Sequence, residues 1–321
     1  MTRSADAVPP LLIVSCDRYQ DVWKPFFAIF RRQWPDCPFP VYLGTNSLHC
    51  DEPGVETLNI GSDKSWSDDL AAMVRKLNAP HVLLFLDDFF ILERVCTADV
   101  KNLVAMAVDN ALPSVRLAPL PDPTPLPPHP LPGHPQFGAV PPGYPYRVSS
   151  QAAIWRSDVL LELLERFPGA NIWQWEHYAT QLYDTIPSEF WGPFQPYIKY
   201  LQVVEKGRWT PIGIELAMDA GVNVDLESRG SFTGEEIRQH YLNATEKPGS
   251  TARRRSVYEF LRGNRLGGLR NAVRAVEFRP SDLRLPLFTL FGLMGKGPLK
   301  WLLRKNVEHK WRALAISRNG K

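Results

Sequence analysis

The sequence lacks both glycine-rich signatures that most often cradle the phosphates of a bound nucleotide. None of its 21 glycines falls in a G-x-G-x-x-G or a G-x-x-x-x-G-K-[ST] pattern after the first apolar run, residues 11–15. This absence argues against a dinucleotide-dependent oxidoreductase and against a P-loop ATPase. A nucleotide bound by this chain would have its charge met by a metal ion and by basic side chains.

Closely spaced cysteines are also missing. The four cysteines, at positions 16, 37, 50 and 96, show no paired spacing of the kind that predicts a disulfide framework or a zinc site. Residues 1–10 contain no basic region followed by a long apolar core, so they do not read as a secretory signal. We therefore expect a cytoplasmic protein with reduced thiols.

Acidic side chains are scarce in the last part of the chain. Residues 251–321 hold 17 Lys and Arg against 4 Asp and Glu, whereas residues 1–250 hold 20 against 30. The apolar run at 283–294 is shorter than the roughly 20 residues that span a bilayer. Basic residues around Phe, Leu and Trp suggest instead a segment that lies in the interface of an anionic membrane. The alternative is a helical extension that packs on the rest of the chain.

The most informative stretch is residues 81–92, HVLLFLDDFFIL. Its apolar run has no polar alternation, which indicates a strand covered on both faces, as in a parallel sheet between helices. The run ends in Asp87 and Asp88, and ligands of such sheets bind at the carboxyl ends of strands. Two adjacent carboxylates there are costly unless water or a cation takes up their charge. A divalent metal site is one interpretation, and a capping or loop-side Asp pair is the other.

Strand and helix signals alternate through residues 1–112. Apolar runs at 11–15, 41–43 and 55–60 are separated by a proline break or by segments with apolar residues at helical spacing. This alternation predicts an α/β fold, with a mainly parallel sheet flanked by helices. Residues 113–145 differ, because thirteen prolines there exclude a helix and a central strand. That segment is either a loop over a cleft, with His129 and His134 in reach of a ligand, or an exposed linker.

Two later groups of residues are candidates for chemistry. In NIWQWEHY, residues 171–178, burial beside indoles would raise the pKa of Glu176 and suit it to accept a proton. Glu176 alternatively only begins a helix. Lys206 and Arg208 lie in a basic turn that either meets phosphate oxygens or forms a solvated hairpin tip.

Several of these segments occur in an order that is similar to a known family. The segments are LLIVSCDRY, VYLGTN, SWSDDLAAMVRKL, VLLFLDDFFIL, VSSQAAIWRSDVLLELL and NIWQWEHY. Over residues 10–230 they resemble bacterial family 2-like glycosyltransferases of the GT-A fold, whose sheet is Rossmann-like. The chain departs from the family where Asp-Asp-Phe replaces Asp-x-Asp and where Glu-His replaces Glu-Asp.

The resemblance implies a role for each candidate residue. Asp88 would bind a divalent cation, Mn²⁺ or Mg²⁺, and Asp87 would bind the ribose, the cation or a water on it. Glu176 would be the catalytic base of an inverting transfer. The remaining candidates would bind the nucleotide sugar: Asp17 its base or ribose, and Arg156, Lys206 and Arg208 its diphosphate.

The resulting hypothesis is a metal-dependent inverting glycosyltransferase that extends a bacterial surface glycan or its lipid-linked precursor. Residues 1–112 would bind the nucleotide sugar, 146–230 would form the acceptor side, and 231–321 would be a helical basic extension. The enzyme would lie on the inner face of the cytoplasmic membrane, held through residues 251–321, and would bind no nucleic acid. The alternatives are a noncatalytic GT-A-like scaffold of a polysaccharide assembly complex and a nucleotidyltransferase.

Overall fold

Strands and helices occur together up to residue 209, and the elements described after residue 231 are helices. The computed structural model describes residues 8–119, 130–131, 133–142, 144, 146–185, 190–244, 248–278 and 284–319. Within these ranges the strands are β1 (Leu11–Val14), β2 (Val41–Thr45), β3 (Val55–Asn59), β4 (His81–Leu86), β5 (Phe89–Ile91), β6 (Ser114–Arg116), β7 (Pro130–Leu131), β8 (His134–Val140), β9 (Ala153–Arg156), β10 (Phe190–Pro193), β11 (Tyr200–Gln202), β12 (Val204–Glu205) and β13 (Arg208–Trp209). The helices are α1 (Gln20–Gln33), α2 (Trp66–Leu77), α3 (Thr97–Asp109), α4 (Ser157–Arg166), α5 (Ile172–Tyr183), α6 (Pro211–Asp219), α7 (Leu226–Arg229), α8 (Gly234–Ala244), α9 (Pro248–Arg262), α10 (Arg265–Phe278), α11 (Arg284–Met294) and α12 (Lys296–Asn319).

A nine-stranded sheet has the order β3-β2-β1-β4-β9-β6-β10-β8-β7. The strands β3, β2, β1 and β4 are parallel, and β10 is parallel to β6. Strand β9 is antiparallel to both of its neighbours, β4 and β6. The predicted α/β fold, with a mainly parallel sheet flanked by helices, is confirmed. Because the chain runs outward from β1 to β3 and returns to β4 on the other side, the strand order reverses between β1 and β4.

Both faces of the central strands are covered. In β1, Leu11 and Ile13 contact one hydrophobic core, which includes α1 and α3, and Leu12 contacts the other, which includes α2, α4 and α5. Strand β4 divides in the same way, with Leu83 on one face and Leu84 on the other, and all five of these side chains are fully buried. The continuous apolar run therefore forms a doubly covered strand, as predicted.

The prediction of no central strand in residues 113–145 is wrong. Strand β6 lies between β9 and β10, and β8 pairs with β10. Residues 114–118 contain no proline, so the backbone N–H groups of this short piece are free to join the sheet. His134 begins β8, whereas His129 lies outside the described residues.

Helices follow the sheet domain and pack partly against it. The ring of Trp311 in α12 lies 5.3 Å from that of Phe167 and 5.5 Å from that of Tyr178. A separate small core joins α9, α11 and α12 through Phe260 and Leu299. The predicted helical C-terminal region is confirmed, and α12 packs on the domain. None of the described helices is both long enough and apolar enough to cross a membrane.

Gly213 fixes the position of the segment that carries β11 and β12. A Cβ at this position would lie 2.7 Å from the Val203 Cβ and 2.9 Å from the Val203 carbonyl oxygen. We expect Gly213→Ala to lower the free energy of unfolding by about 1–3 kcal/mol, because backbone has to move. The loss is measured from the urea unfolding curves of the parent and the variant. Gly234→Ala is the matched control, since its Cβ would meet nothing within 4 Å; equal midpoints for the two variants would contradict the prediction.

Candidate active site

Asp87 lies at the point where the strand order reverses, the usual ligand-binding position of an open α/β sheet. It follows β4 in the turn before β5 and is 4% exposed. The Ser15 hydroxyl donates to Asp87 Oδ2, and Trp23 Nε1 donates to Ser15 Oγ at 2.7 Å. Burial, and then the neighbouring charge of Asp88, raise the pKa of Asp87 well above its usual range, although the Ser15 bond opposes this. The carboxylate is thus held in place in surroundings that disfavour its charge.

Asp88 is partly exposed and joins the turn to the strand β11. Val203 N donates to the Asp88 carbonyl oxygen at 2.8 Å, and Gln202 Nε2 lies 3.5 Å from Asp88 Oδ2. The pKa of Asp88 is raised to about 7, chiefly by burial; the Gln202 bond opposes this rise, and the charge of Glu205 adds to it. The two carboxylates together form an acidic centre that favours either protons or a cation.

Arg229 supplies a positive charge beside this acidic centre, and no sequence pattern predicted it. Its Nε and Nη2 donate to the two Asp21 carboxylate oxygens at 2.8 and 2.6 Å. Its guanidinium carbon lies 4.3 Å from the centre of the Tyr19 ring. The charge of Arg229 lowers the pKa of both Asp87 and Asp88. Arg229 is therefore a fixed cation at the edge of the site.

We expect Arg229→Met to lower the free energy of unfolding by about 3 kcal/mol. The side chains of Arg229 and Asp21 are only 8% and 14% exposed, so removal of the cation leaves a nearly buried carboxylate unpaired. Arg238→Met is the control, because its pair with Glu235 is 67% and 69% exposed and should contribute less than about 1 kcal/mol. Urea unfolding of both variants tests the difference, and equal losses would be contrary to it.

Asp17 anchors the loop after β2 to the end of β1. Its carboxylate accepts backbone N–H groups from Asn46, Ser47 and Leu48 at 3.0–3.1 Å, and the Ser47 hydroxyl also donates to it. Burial alone would raise the pKa of Asp17, but these hydrogen bonds outweigh it and lower the pKa. Asp17 therefore lies at the same edge as Asp87, with its carboxylate already engaged by the chain.

Arg156 is not brought to this edge, which corrects its assignment to the diphosphate. It pairs in register with His81, at the start of β4, because β9 runs antiparallel to β4. Its guanidinium binds Asp158 Oδ1 at 2.7 Å and the Ala111 carbonyl oxygen at 3.0 Å. Arg156 thus lies at the opposite end of β4 from Asp87.

Lys206 and Arg208 lie at the hairpin that joins β12 to β13. Arg208 contacts Glu236 at 3.3–3.5 Å, and its guanidinium carbon lies 4.2 Å from the centre of the Phe232 ring. Lys206 Nζ lies 3.4 Å from His240 Nδ1. The basic turn forms a hairpin, and both cations contact the segment around α8.

Glu176 lies in the second turn of α5 rather than at its start, where Asn171 is the N-cap. It is 7% exposed. Glu176 Oε1 accepts bonds from Ser149 Oγ at 3.0 Å, from Ser150 N at 2.8 Å and from Ser150 Oγ at 2.8 Å. Burial raises the pKa of Glu176, although these bonds and the charge of Arg116 oppose the shift. The expected rise of the pKa by burial is therefore found.

Arg116 is a second basic residue that sequence reasoning missed. It ends β6 within the proline-rich segment, is 5% exposed, and pairs in register with Ala153, which also pairs with Leu84 of β4. Burial lowers its pKa to about 10, while the charges of Tyr200 and Glu176 raise it. Glu176, with its partners Ser149 and Ser150, therefore lies along the same edge of the sheet as Asp87 and Asp88. The ring of Tyr200 lies 5.3 Å from that of Phe89, which follows Asp88.

The oxygen atoms of Asp87 and Asp88 are suited to Mg²⁺ or Mn²⁺. Among the described residues, no three or more His, Cys, Asp or Glu are grouped so as to hold a metal ion. Hard cations that bind a substrate diphosphate commonly take only one or two carboxylates from the protein. The buried, charge-disfavouring surroundings of this pair therefore fit a cation that takes its other ligands from water and a substrate.

No protein-family model matches this chain, and no curated protein matches it. It is similar to solved structures of S. aureus TarS. TarS 1-349 in complex with UDP aligns with a TM-score of 0.44 and 12% identity, over 95% of this chain and 92% of that chain. A longer TarS structure aligns with a TM-score of 0.44 and 10% identity, over 93% of this chain and 55% of that chain.

Proposed function

We propose that this chain is a metal-dependent inverting glycosyltransferase that transfers a sugar from a nucleotide sugar to a bacterial surface glycan or its lipid-linked precursor. The observation that carries the proposal is the acidic centre of Asp87 and Asp88 at the reversal of strand order, where burial raises both pKa values. A nucleoside diphosphate with its divalent cation is a ligand that such a centre suits.

On the donor side, Asp88 would hold the cation. It is the more exposed of the two carboxylates, whereas Asp87 is bonded to Ser15 and would contact the ribose, the cation or a water on it. The bound cation would stabilise the charge that develops on the leaving diphosphate. Asp17, Lys206 and Arg208 remain proposed contacts of the nucleotide, and Arg229 offsets the negative charge of the site.

On the acceptor side, Glu176 would take the proton of the attacking hydroxyl. All three hydrogen bonds described above end on Oε1, so they orient the carboxylate and leave Oε2 for the substrate. Its raised pKa increases its affinity for a proton. A single in-line displacement with this base would invert the configuration of the sugar carbon.

The site of action is proposed to be the inner face of the cytoplasmic membrane. Residues 251–321 carry the excess of Lys and Arg, and α10 and α11 expose aliphatic side chains. An anionic phospholipid surface is the partner that this combination suits. A lipid-linked acceptor would be met there.

The activity is tested by incubating the chain with a panel of nucleotide sugars and Mn²⁺ or Mg²⁺, followed by addition of a chelator. Glycosyl transfer releases nucleoside diphosphate, and the chelator should stop it. Release of pyrophosphate from nucleoside triphosphates would instead identify a nucleotidyltransferase. Absence of both reactions across the panel and across glycan acceptors would favour the noncatalytic scaffold.

A further inference from the structure

Helices α10 and α11 form an exposed side of the C-terminal region. They pack against each other through Ala272, Ala275 and Leu285. In α11, Phe288 also joins the small core with Phe260. Helix α10 also packs along α9, and α11 packs on α9 and α12. The sides of α10 and α11 that remain exposed carry the side chains described next.

The exterior of α10 carries an apolar stripe. Leu266, Leu269, Val273 and Val276 follow one another at intervals of three or four residues, which places them on one side of the helix. They are 83%, 39%, 54% and 45% exposed. An apolar stripe on a helix normally faces a hydrophobic core. This stripe lies on a different side of α10 from Ala272 and Ala275, which pack on α11.

The outer face of α11 is also apolar. Leu287, Leu290 and Met294 are 45%, 56% and 60% exposed. At 100° per residue they lie opposite the buried positions Leu285 and Phe288. Exposure of these aliphatic side chains to water is unfavourable. Their transfer into an apolar phase would lower the free energy.

Basic side chains surround these aliphatic faces. Arg265, Arg270 and Arg274 are exposed on α10, and Lys296 is exposed just after α11. None of these four side chains has an ion-pair partner among the described residues. Glu277 is the single acid of α10, and α11 contains no acid. The positive charges are therefore available to an anionic partner.

We infer that the aliphatic faces of α10 and α11, with the basic side chains around them, are the surface by which this protein docks on an anionic phospholipid membrane. Unpaired basic residues next to exposed aliphatic side chains match lipid head groups and the acyl region beneath them. A second copy of the chain would bring the same positive charges together, which disfavours self-association through this face. This surface would be the membrane contact of the proposed function. Only the identity of the acceptor depends on that function.

Helix α9, on which α10 packs, also contacts the sheet domain. The ring of Tyr258 lies 6.4 Å from the ring of Tyr144, and Tyr144 contributes to the electrostatic surroundings of Arg116. Arg116 in turn influences Glu176. The inferred docking surface is therefore joined through α9 to the part of the chain that contains Tyr144.

Co-sedimentation of the full chain with vesicles tests the inference without any nucleotide sugar. We expect binding to phosphatidylcholine vesicles that contain phosphatidylglycerol, and loss of that binding at high salt or with phosphatidylcholine alone. Leu290→Ser/Met294→Ser should weaken binding about tenfold or more, and Arg270→Gln/Arg274→Gln about tenfold. Met218→Ser in α6, a residue 60% exposed, is the matched control and should bind as the parent does.

The outcomes separate docking from activity and from self-association. The inference would be overturned if the parent did not bind anionic vesicles. It would also be overturned if the parent bound and none of these variants weakened that binding. A shift of oligomeric state by Leu290→Ser/Met294→Ser in gel filtration, without any vesicle binding, would assign the surface to a second copy. Asp88→Asn should bind vesicles normally, so a failure of the proposed enzyme activity leaves this test unaffected.

Discussion

Asp88→Asn should slow nucleoside diphosphate release about 10³-fold, because asparagine retains the size of the side chain but loses the anionic oxygen that would hold the cation. The rate is measured as kcat/KM with the best nucleotide sugar of the panel. Excess Mn²⁺ should restore part of the lost rate, since a weakened cation site can still be filled by mass action.

Two controls separate this effect from damage to the fold. Asp219→Asn replaces an exposed aspartate at the end of α6 and should retain the parent rate. The folded chain favours the uncharged form of Asp88, so Asp88→Asn should leave the urea midpoint at pH 7.5 unchanged or higher. Unaltered turnover in Asp88→Asn would remove this residue from the proposed cation site.

Glu176→Gln should lower kcat about 10³-fold while the donor binds as it does to the parent. The glutamine oxygen still accepts the bonds from Ser149 and Ser150, so the orientation of the side chain is preserved. What is lost is the ability to take up a proton. Single-turnover transfer measures the chemical step, and titration with the nucleoside diphosphate measures donor binding.

The pH dependence of stability provides an independent check on Glu176. Burial raises its folded pKa above the ordinary value of 4.5, so the folded chain binds this proton more tightly than the unfolded chain does. The stability contributed by Glu176 is therefore present below about pH 4.5 and is lost as the pH rises through the folded pKa. The free energy of unfolding of Glu176→Gln, relative to that of the parent, should therefore increase between pH 5 and pH 8.

In the transfer assay, normal single-turnover transfer by Glu176→Gln would rule Glu176 out as the base.

The half of the fold around β1 and β4 was predictable because its signals are local. A short continuous apolar run is typical of a strand covered on both faces, and the two acids at its end lie at the edge of the sheet where ligands bind. The placement of Asp87 and of the helices on both faces followed from these residues alone. The burial of Glu176 was likewise suggested by the aromatic residues around it in the sequence.

Residues that reach the site from a distance were not predictable. Arg229 belongs to a four-residue helix without apolar periodicity, and its partner Asp21 is far away in the sequence. Arg116 ends a three-residue strand beside prolines, whose density indicated a loop. Arg156 was assigned to the wrong end of the sheet because the direction of β9 depends on its neighbours β4 and β6, which no local pattern specifies.

The contact between Arg229 and Asp21 has a consequence for how the protein is made. The two residues are 208 positions apart in the sequence. Gln202 and Asp88, which also contact each other, are 114 positions apart. Contacts of such separation form late, because a large loop has to close before they are gained. A nascent chain that ends before α7 contains the acidic centre without its cation, and one that ends before β9 leaves the edge of β4 unpaired. Arg229 therefore reaches the acidic centre only after all the strands of the central sheet have been synthesised.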